Sequence, residues 1–172
     1  MKRYIALLRG VSPMNCRMPE LKLCFEAAGF QDVRTLLSSG NVAFTARPAE
    51  VPVLERAAEQ AMQAHWGRAF KTIVRPASFL QALVEAEPFA AFALPAEAKP
   101  IVAFLRRPYA GEALELPIRQ AQAAILALAG TEVLAAYVPN AKAPAFMALL
   151  ERRFGKEITT RTWDTVRKCA FA

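Results

Sequence analysis

Tyr4 to Phe44 reads YIALLRGVSPMNCRMPELKLCFEAAGFQDVRTLLSSGNVAF, and the order of signals within it decides the fold class. Tyr4, Ile5, Leu7 and Leu8 make a nearly continuous apolar run, which predicts a buried strand over Arg3–Arg9. Gly10 to Arg17 follows as a loop punctuated by Pro13 and Asn15. Pro19 suits the first turn of a helix, and Glu20 complements the dipole of that turn. Leu21, Cys24, Phe25 and Ala28 recur at helical spacing and mark one apolar face. Gly29 sits where a helix ends in a left-handed residue, with Phe30 placed to fold back on it. Val33–Leu37 and Asn41–Thr45 are two short strands, and Ser38-Ser39-Gly40 supplies the turn between them.

Outward from that stretch the pattern continues. A second helix is expected from about Pro48 to His65, with Val51, Leu54, Ala58, Ala61 and Met62 on one side. Phe70–Val74 is a fourth strand, and Ser78 with Gln81 reads as a capping box for a third helix. The first half is therefore β-α-β-β-α-β followed by a helix. Pro88, Pro95 and Pro100 punctuate an alanine-rich connection, which sets the expected boundary between subdomains 1–95 and 96–172.

The second half repeats the theme. Ile101–Leu105 is a strand, and Pro108–Pro117 has room for one helical turn. Ala121–Leu128 and Glu132–Val138 form a hairpin around Gly130-Thr131. Phe146, Leu149, Leu150 and Arg153 lie along a helix ending at Gly155. A short strand near Ile158 leads into a final helix with Trp163 and Val166. The expected class is α+β: two ferredoxin-like β-α-β-β-α-β subdomains related by duplication. Each has an antiparallel sheet with helices packed on one face, and a further helix closes the C-terminus.

Hydrophobic residues make up 55% of the 172-residue chain and charged residues 22%, a balance that folds. Apolar runs such as Ala121–Ala129 are too short to cross a bilayer. Met1-Lys2-Arg3-Tyr4 runs straight into a strand with no signal-peptide core, so a cytoplasmic location away from membranes is expected. Cys16, Cys24 and Cys169 fit neither a disulfide framework nor a zinc site. Cys24 falls on the apolar helix face. Cys16 lies near Arg9 and Arg17, cations of the kind that lower a thiol pKa, although an ordinary loop cysteine is the simpler reading.

The net charge of +7 comes from the two ends of the chain. Residues 1–17 contribute +4 through Lys2, Arg3, Arg9 and Arg17, residues 142–172 contribute another +4, and the middle sums to −1. A basic patch follows if the ends meet in space. The competing reading is a solvated surface in a chain that uses 15 arginines and 7 lysines.

Counting removes many enzyme classes. His65 is the single histidine, which excludes two-histidine metal sites. Asp32 and Asp164 have no neighbouring acid, and Glu85 and Glu87, two apart on a helix, do not face each other. No GxxxxGK[ST], GxGxxG or GxSxG motif is present, and the aromatic pattern of an RNA-recognition motif is missing. No catalytic residue, metal or cofactor is indicated. One constellation remains: Arg9, Ser12 and Asn15 after the first strand, Ser39 and Asn41 at the hairpin, and Thr160, Arg161 and Thr162 opening the last helix. Arginine forks and loop N–H groups favour anions. Against this stands the plainer assignment of the threonines as caps and the serines as turn formers.

Several of these segments carry a family resemblance. Leu7-Leu8-Arg9-Gly10, Met18-Pro19-Glu20-Leu21, Gly29-Phe30, Val33-Arg34-Thr35, Ser39-Gly40-Asn41-Val42 and Thr160-Arg161-Thr162-Trp163-Asp164-Thr165-Val166 resemble the bacterial domain-of-unknown-function (DUF) sixteen-ninety-seven family. The resemblance implies a pair of ferredoxin-like subdomains and carries no assigned activity or catalytic residue. The chain departs from the commoner family pattern in two places. Its loop after Arg9-Gly10 is short and lacks paired glycines, and Thr162 and Asp164 flank Trp163 where asparagines are common.

Three functional readings follow. The first is a binding protein for an anionic partner, a nucleic acid or a phosphorylated small molecule, using Arg9, Ser12, Asn15, Ser39, Asn41, Thr160 and Arg161. The second is an enzyme in which Arg9 or Arg161 holds substrate and Cys16 or a glutamate reacts. The third is a homodimer formed through sheet edges.

Overall fold

Strand β1 (Lys2–Leu8) is buried at every position from Tyr4 to Leu8, as its unbroken apolar run requires. The computed structural model describes residues 1–139 and 145–172, so Lys142, counted above in the basic C-terminal region, lies outside the described residues. The chain divides into two units, one of Met1–Glu85 with Arg167–Ala172 and the other of Ala86–Val166.

In the first unit β1 is followed by α1 (Met18–Ala27), β2 (Gln31–Leu36), β3 (Asn41–Ala46), α2 (Val51–Trp66), β4 (Thr72–Pro76) and α3 (Ala77–Glu85). The sheet runs β2-β3-β1-β4 and is antiparallel throughout. Tyr4, Ala6 and Leu8 face one core with Leu21, Phe25, Phe44, Leu54 and Met62. Ile5 and Leu7 point the other way by strand alternation and are equally buried. Helices on one face alone would leave these two in water, so the expectation of one-sided cover is corrected. α3 packs against β1 and β4.

The end of α1 explains why β2 starts where it does. The N–H of Gly29 (φ +87°) donates to Glu26, and the N–H of Phe30 donates to Phe25. This pair of bonds is a Schellman motif, and Phe30 folds back to stack on Phe44 at 4.2 Å between ring centroids. The expected capping box at Ser78 is absent in this form, because α3 already begins at Ala77; Gln81 instead donates from Nε2 to the Ala170 carbonyl at 2.9 Å.

The outer edge of β4 is occupied by α2. The Val74 N–H donates to Oε1 of Glu55 at 3.1 Å, and the Thr72 N–H donates to Oε1 of Glu59 at 3.0 Å. Residues four apart on a helix and two apart on a strand present matching spacings, so two carboxylates satisfy two edge donors.

The second unit holds a 3-10 turn at Pro88–Ala91, then β5 (Lys99–Leu105), β6 (Ile118–Gln120), β7 (Ala123–Ala129), β8 (Glu132–Tyr137), α4 (Ala145–Phe154) and β9 (Ile158–Thr162). Helix α5 (Trp163–Ala170) begins here and ends in residues belonging to the first unit. The sheet order is β6-β7-β8-β5-β9, again antiparallel. Ala103, Leu105, Ile125, Val133 and Ile158 form the core beneath Leu149 and Leu150 of α4.

The helical turn expected in Pro108–Pro117 does not form, and the second unit has no helix at the place of α1. Prolines at both ends remove N–H donors. The segment is irregular, passes through a cis Leu116–Pro117 bond and ends in β6, an added edge strand. The overall class is mixed α+β with two antiparallel sheets and five α-helices among the described residues. No helix among those residues is long and apolar enough to cross a membrane.

Candidate functional site

The loop leaving β1 closes on itself. Asn15 accepts the Ser12 N–H on Oδ1 at 2.9 Å and donates from Nδ2 to the Gly10 carbonyl at 2.8 Å. The N–H groups of Asn15 and Cys16 both reach the Ser12 carbonyl. Asn15 thus spends its side-chain amide on shaping the loop. Pro13, Met14 and Asn15 are exposed at its tip.

This loop meets the β2–β3 hairpin. The Leu8 N–H donates to the Gly40 carbonyl at 2.9 Å, and Gly40 packs tightly against Val11. Asn41 is fully buried and donates from Nδ2 to both the Leu36 carbonyl and Ser39 Oγ, each at 3.0 Å. The two residues singled out at the hairpin therefore bind each other and fix the turn.

A third segment, between α2 and β4, joins them. Arg68 donates from Nη2 to the Asn15 carbonyl at 2.7 Å while its guanidinium lies 5.1 Å from the Phe70 ring centre. The Arg9 N–H donates to the Lys71 carbonyl at 2.9 Å. Arg9, Arg17, Arg68 and Lys71 are therefore carried by two adjoining connections at one end of the first sheet.

Cys16 is buried beneath this loop, and its thiol is not activated. Burial pushes its pKa up, Cys24 and Glu20 push the same way, and Arg68 opposes them without prevailing. The cation that opposes desolvation is Arg68, and neither Arg9 nor Arg17 is among the groups acting on the thiol. Cys24 is also raised, by burial first and then by Glu20. All three cysteines are buried free thiols.

Thr160 and Arg161 lie in the second unit, within β9 rather than at the start of a helix. The threonine that caps α5 is Thr162, whose Oγ1 accepts the Thr165 N–H at 3.3 Å. Arg161 pairs with Val102 of β5 and is 8% exposed. Its Nη1 donates to Thr159 Oγ1 at 2.7 Å and to the Thr160 carbonyl at 2.8 Å. Thr160 itself donates to the Met147 sulfur. The seven residues thus form two groups, five in one unit and two in the other.

Sequence reasoning missed a second set of cations. The Leu105 N–H donates to the Thr131 carbonyl at 2.8 Å, as Leu8 does to Gly40. The Arg106 N–H donates to the Glu157 carbonyl at 3.3 Å, as Arg9 does to Lys71. Lys99–Arg107 reads KPIVAFLRR against KRYIALLRG for Lys2–Gly10, and both strands show the same burial pattern. That likeness was the signal available. Arg106 and Arg107 follow β5, and Arg153 and Lys156 lie around the turn between α4 and β9.

The family model described as "Protein of unknown function (DUF1697)" matches residues 1–133. Comparison with curated proteins gives no match. The chain is similar in structure to a conserved bacterial protein from Streptococcus pneumoniae, with a TM-score of 0.70 and 18% identity over 99% of this chain and 97% of that one. A likeness at that identity speaks to the fold alone.

Proposed function

The chain belongs to the family of unknown function DUF1697, and from that premise we propose that it binds an anionic ligand at the end of each sheet where the first strand runs out. One observation carries this reading. In each unit the loop after the first strand and the connection into the last strand share a backbone bond, and four cations lie in them or, for Arg153, in the helical turn just before. These are Arg9, Arg17, Arg68 and Lys71 in one unit, and Arg106, Arg107, Arg153 and Lys156 in the other. Clustered guanidinium groups suit phosphate-type anions, which they grip with two parallel donors.

The same reading takes 1–95 and 96–172 as two copies of one ferredoxin-like unit. The repeated strand order and the two repeated pairs of backbone bonds support it. A cytoplasmic setting is proposed too, supported by three free, buried cysteines.

The test is a titration of the whole protein with inorganic pyrophosphate and with a mixed-sequence single-stranded oligonucleotide, at low salt and again at about 200 mM. Saturable binding of at least one anion, weakening as salt rises, is the expected result. No binding of either at low salt removes the reading.

A further inference from the structure

The basic end of the second unit carries a half-open pocket. Leu105, Arg106, Arg107, Pro108, Tyr109 and Ala110 border a cavity of about 240 Å³, with Arg153, Phe154 and Glu157 on its other side. We propose that this pocket binds a small phosphorylated molecule, with Arg106, Arg107 and Arg153 around its phosphate group. The proposal rests on the anion-binding reading above and narrows it to one site and one ligand class.

Three features of the cavity lead there. The first is charge. The lining residues include three arginines and one glutamate, a formal balance of +2, and the Arg107 guanidinium also donates to the Arg106 carbonyl. A phosphate monoester carries about −1.5 to −2 at neutral pH and would neutralise it. The arginines come from two chain segments, so a bound phosphate would be met from more than one side, as fork geometry favours.

The second is size. Drug-sized ligands occupy roughly 300–1,000 Å³, and this cavity is smaller. A recess of that size suits a phosphate with a short organic body.

The third is a rigid wall. The Tyr109 ring meets Phe154 edge to face at 5.4 Å, and its hydroxyl donates to the Glu112 carbonyl at 2.9 Å. A side chain at Gly111 would run into the Tyr109 ring, so glycine lets the chain turn closely past the phenol. The aromatic side is therefore held before any ligand arrives, and little ordering cost remains for binding.

The experiment follows backbone amide NMR shifts of the full chain during titration with inorganic phosphate and with pyrophosphate at constant ionic strength. Expected are saturable shifts at Arg106, Arg107, Tyr109 and Phe154, with pyrophosphate binding at those amides at least tenfold weaker in R107Q/R153Q and unchanged in R56Q, an exposed position on α2. Arg107 and Arg153 are exposed, so that double variant retains the fold, and its amide spectrum verifies this. Saturable shifts confined to Arg9, Arg68 and Lys71, insensitive to R107Q/R153Q, overturn the pocket while leaving the broader reading intact. No saturable shift with either anion overturns the pocket, and the broader reading falls with it only if the oligonucleotide also fails to bind.

Discussion

A β-carbon on Gly40 would lie 2.8 Å from the β-carbon of Val11, closer than real side chains approach, so the hairpin and the loop after β1 are held together by the absence of one atom. Gly40 also has φ +83°, as Gly10 has φ +79°, but nothing lies within 4 Å of a β-carbon at Gly10. The two glycines separate strain from contact. Gly10→Ala is expected to cost about 1 kcal/mol through its backbone alone. Gly40→Ala should cost roughly 1–3 kcal/mol more, from overpacking against Val11 and Leu8. Urea unfolding of the two variants measures the difference, and equal losses would refute the loop contact.

Asn41 and Ser39 give a second pair. Asn41 is fully buried with both amide protons used, so Asn41→Ala leaves the Leu36 carbonyl without that donor and should cost about 1–3 kcal/mol. Ser39 is exposed but accepts one of those protons, so Ser39→Ala should cost about 1 kcal/mol, less than Asn41→Ala. Pyrophosphate affinity measured on both variants, where folded, should remain at the parent value. A loss of affinity in Ser39→Ala with stability unchanged would return Ser39 to the ligand.

The Glu55 carboxylate is wholly buried against the Val74 N–H. Glu55→Ala strands that donor and is expected to cost about 1–3 kcal/mol, whereas Glu55→Gln keeps an amide oxygen in place and should lose less. Thermal unfolding of the two proteins distinguishes the cases. Identical stabilities would mean that the carboxylate is not holding the strand edge.

The cysteines predict a pH effect of definite sign. Cys16 and Cys24 have folded pKa values above the ordinary thiol, so the folded protein keeps protons that the unfolded chain releases as pH rises past about 8.5. Stability is therefore flat below that pH from this source and falls above it. A C16S/C24S variant should show a shallower decline between about pH 8 and 10. Thiol titration with an aromatic disulfide at about pH 8 should find no fast-reacting cysteine until denaturant is added. One fast thiol in the native protein would revive a cysteine-based enzyme.

The first unit was legible because each of its turns announces itself. Gly29 followed by Phe30 marks a helix end, and Ser38-Ser39-Gly40 marks a hairpin. The segment from Pro108 to Pro117 has one interior glycine, Gly111, and no helix-end or hairpin signal of that kind. Ala113, Leu114 and Leu116 scan as helix, and what cancels them is the paired prolines together with a three-residue edge strand too short to read.

The site was half legible for a related reason. Arg9 could be placed from its strand, but Arg68 and Lys71 come near it only once β4 is known to run antiparallel to β1. Arg161 read as opening the last helix because a strand position opposite Val102 cannot be recognised from five residues of threonine and arginine. The burial of Cys16 was not legible, because it depends on the loop folding inward, which its neighbouring cations do not disclose.

The two glutamates of α2 along β4 bear on how copies of this chain could assemble. A sheet that propagates from molecule to molecule must recruit at both rims, and in the first unit one rim is already spoken for by Glu55 and Glu59. Any strand exchange through that sheet has a single port, at β2. Exchange through that sheet therefore terminates at a closed pair.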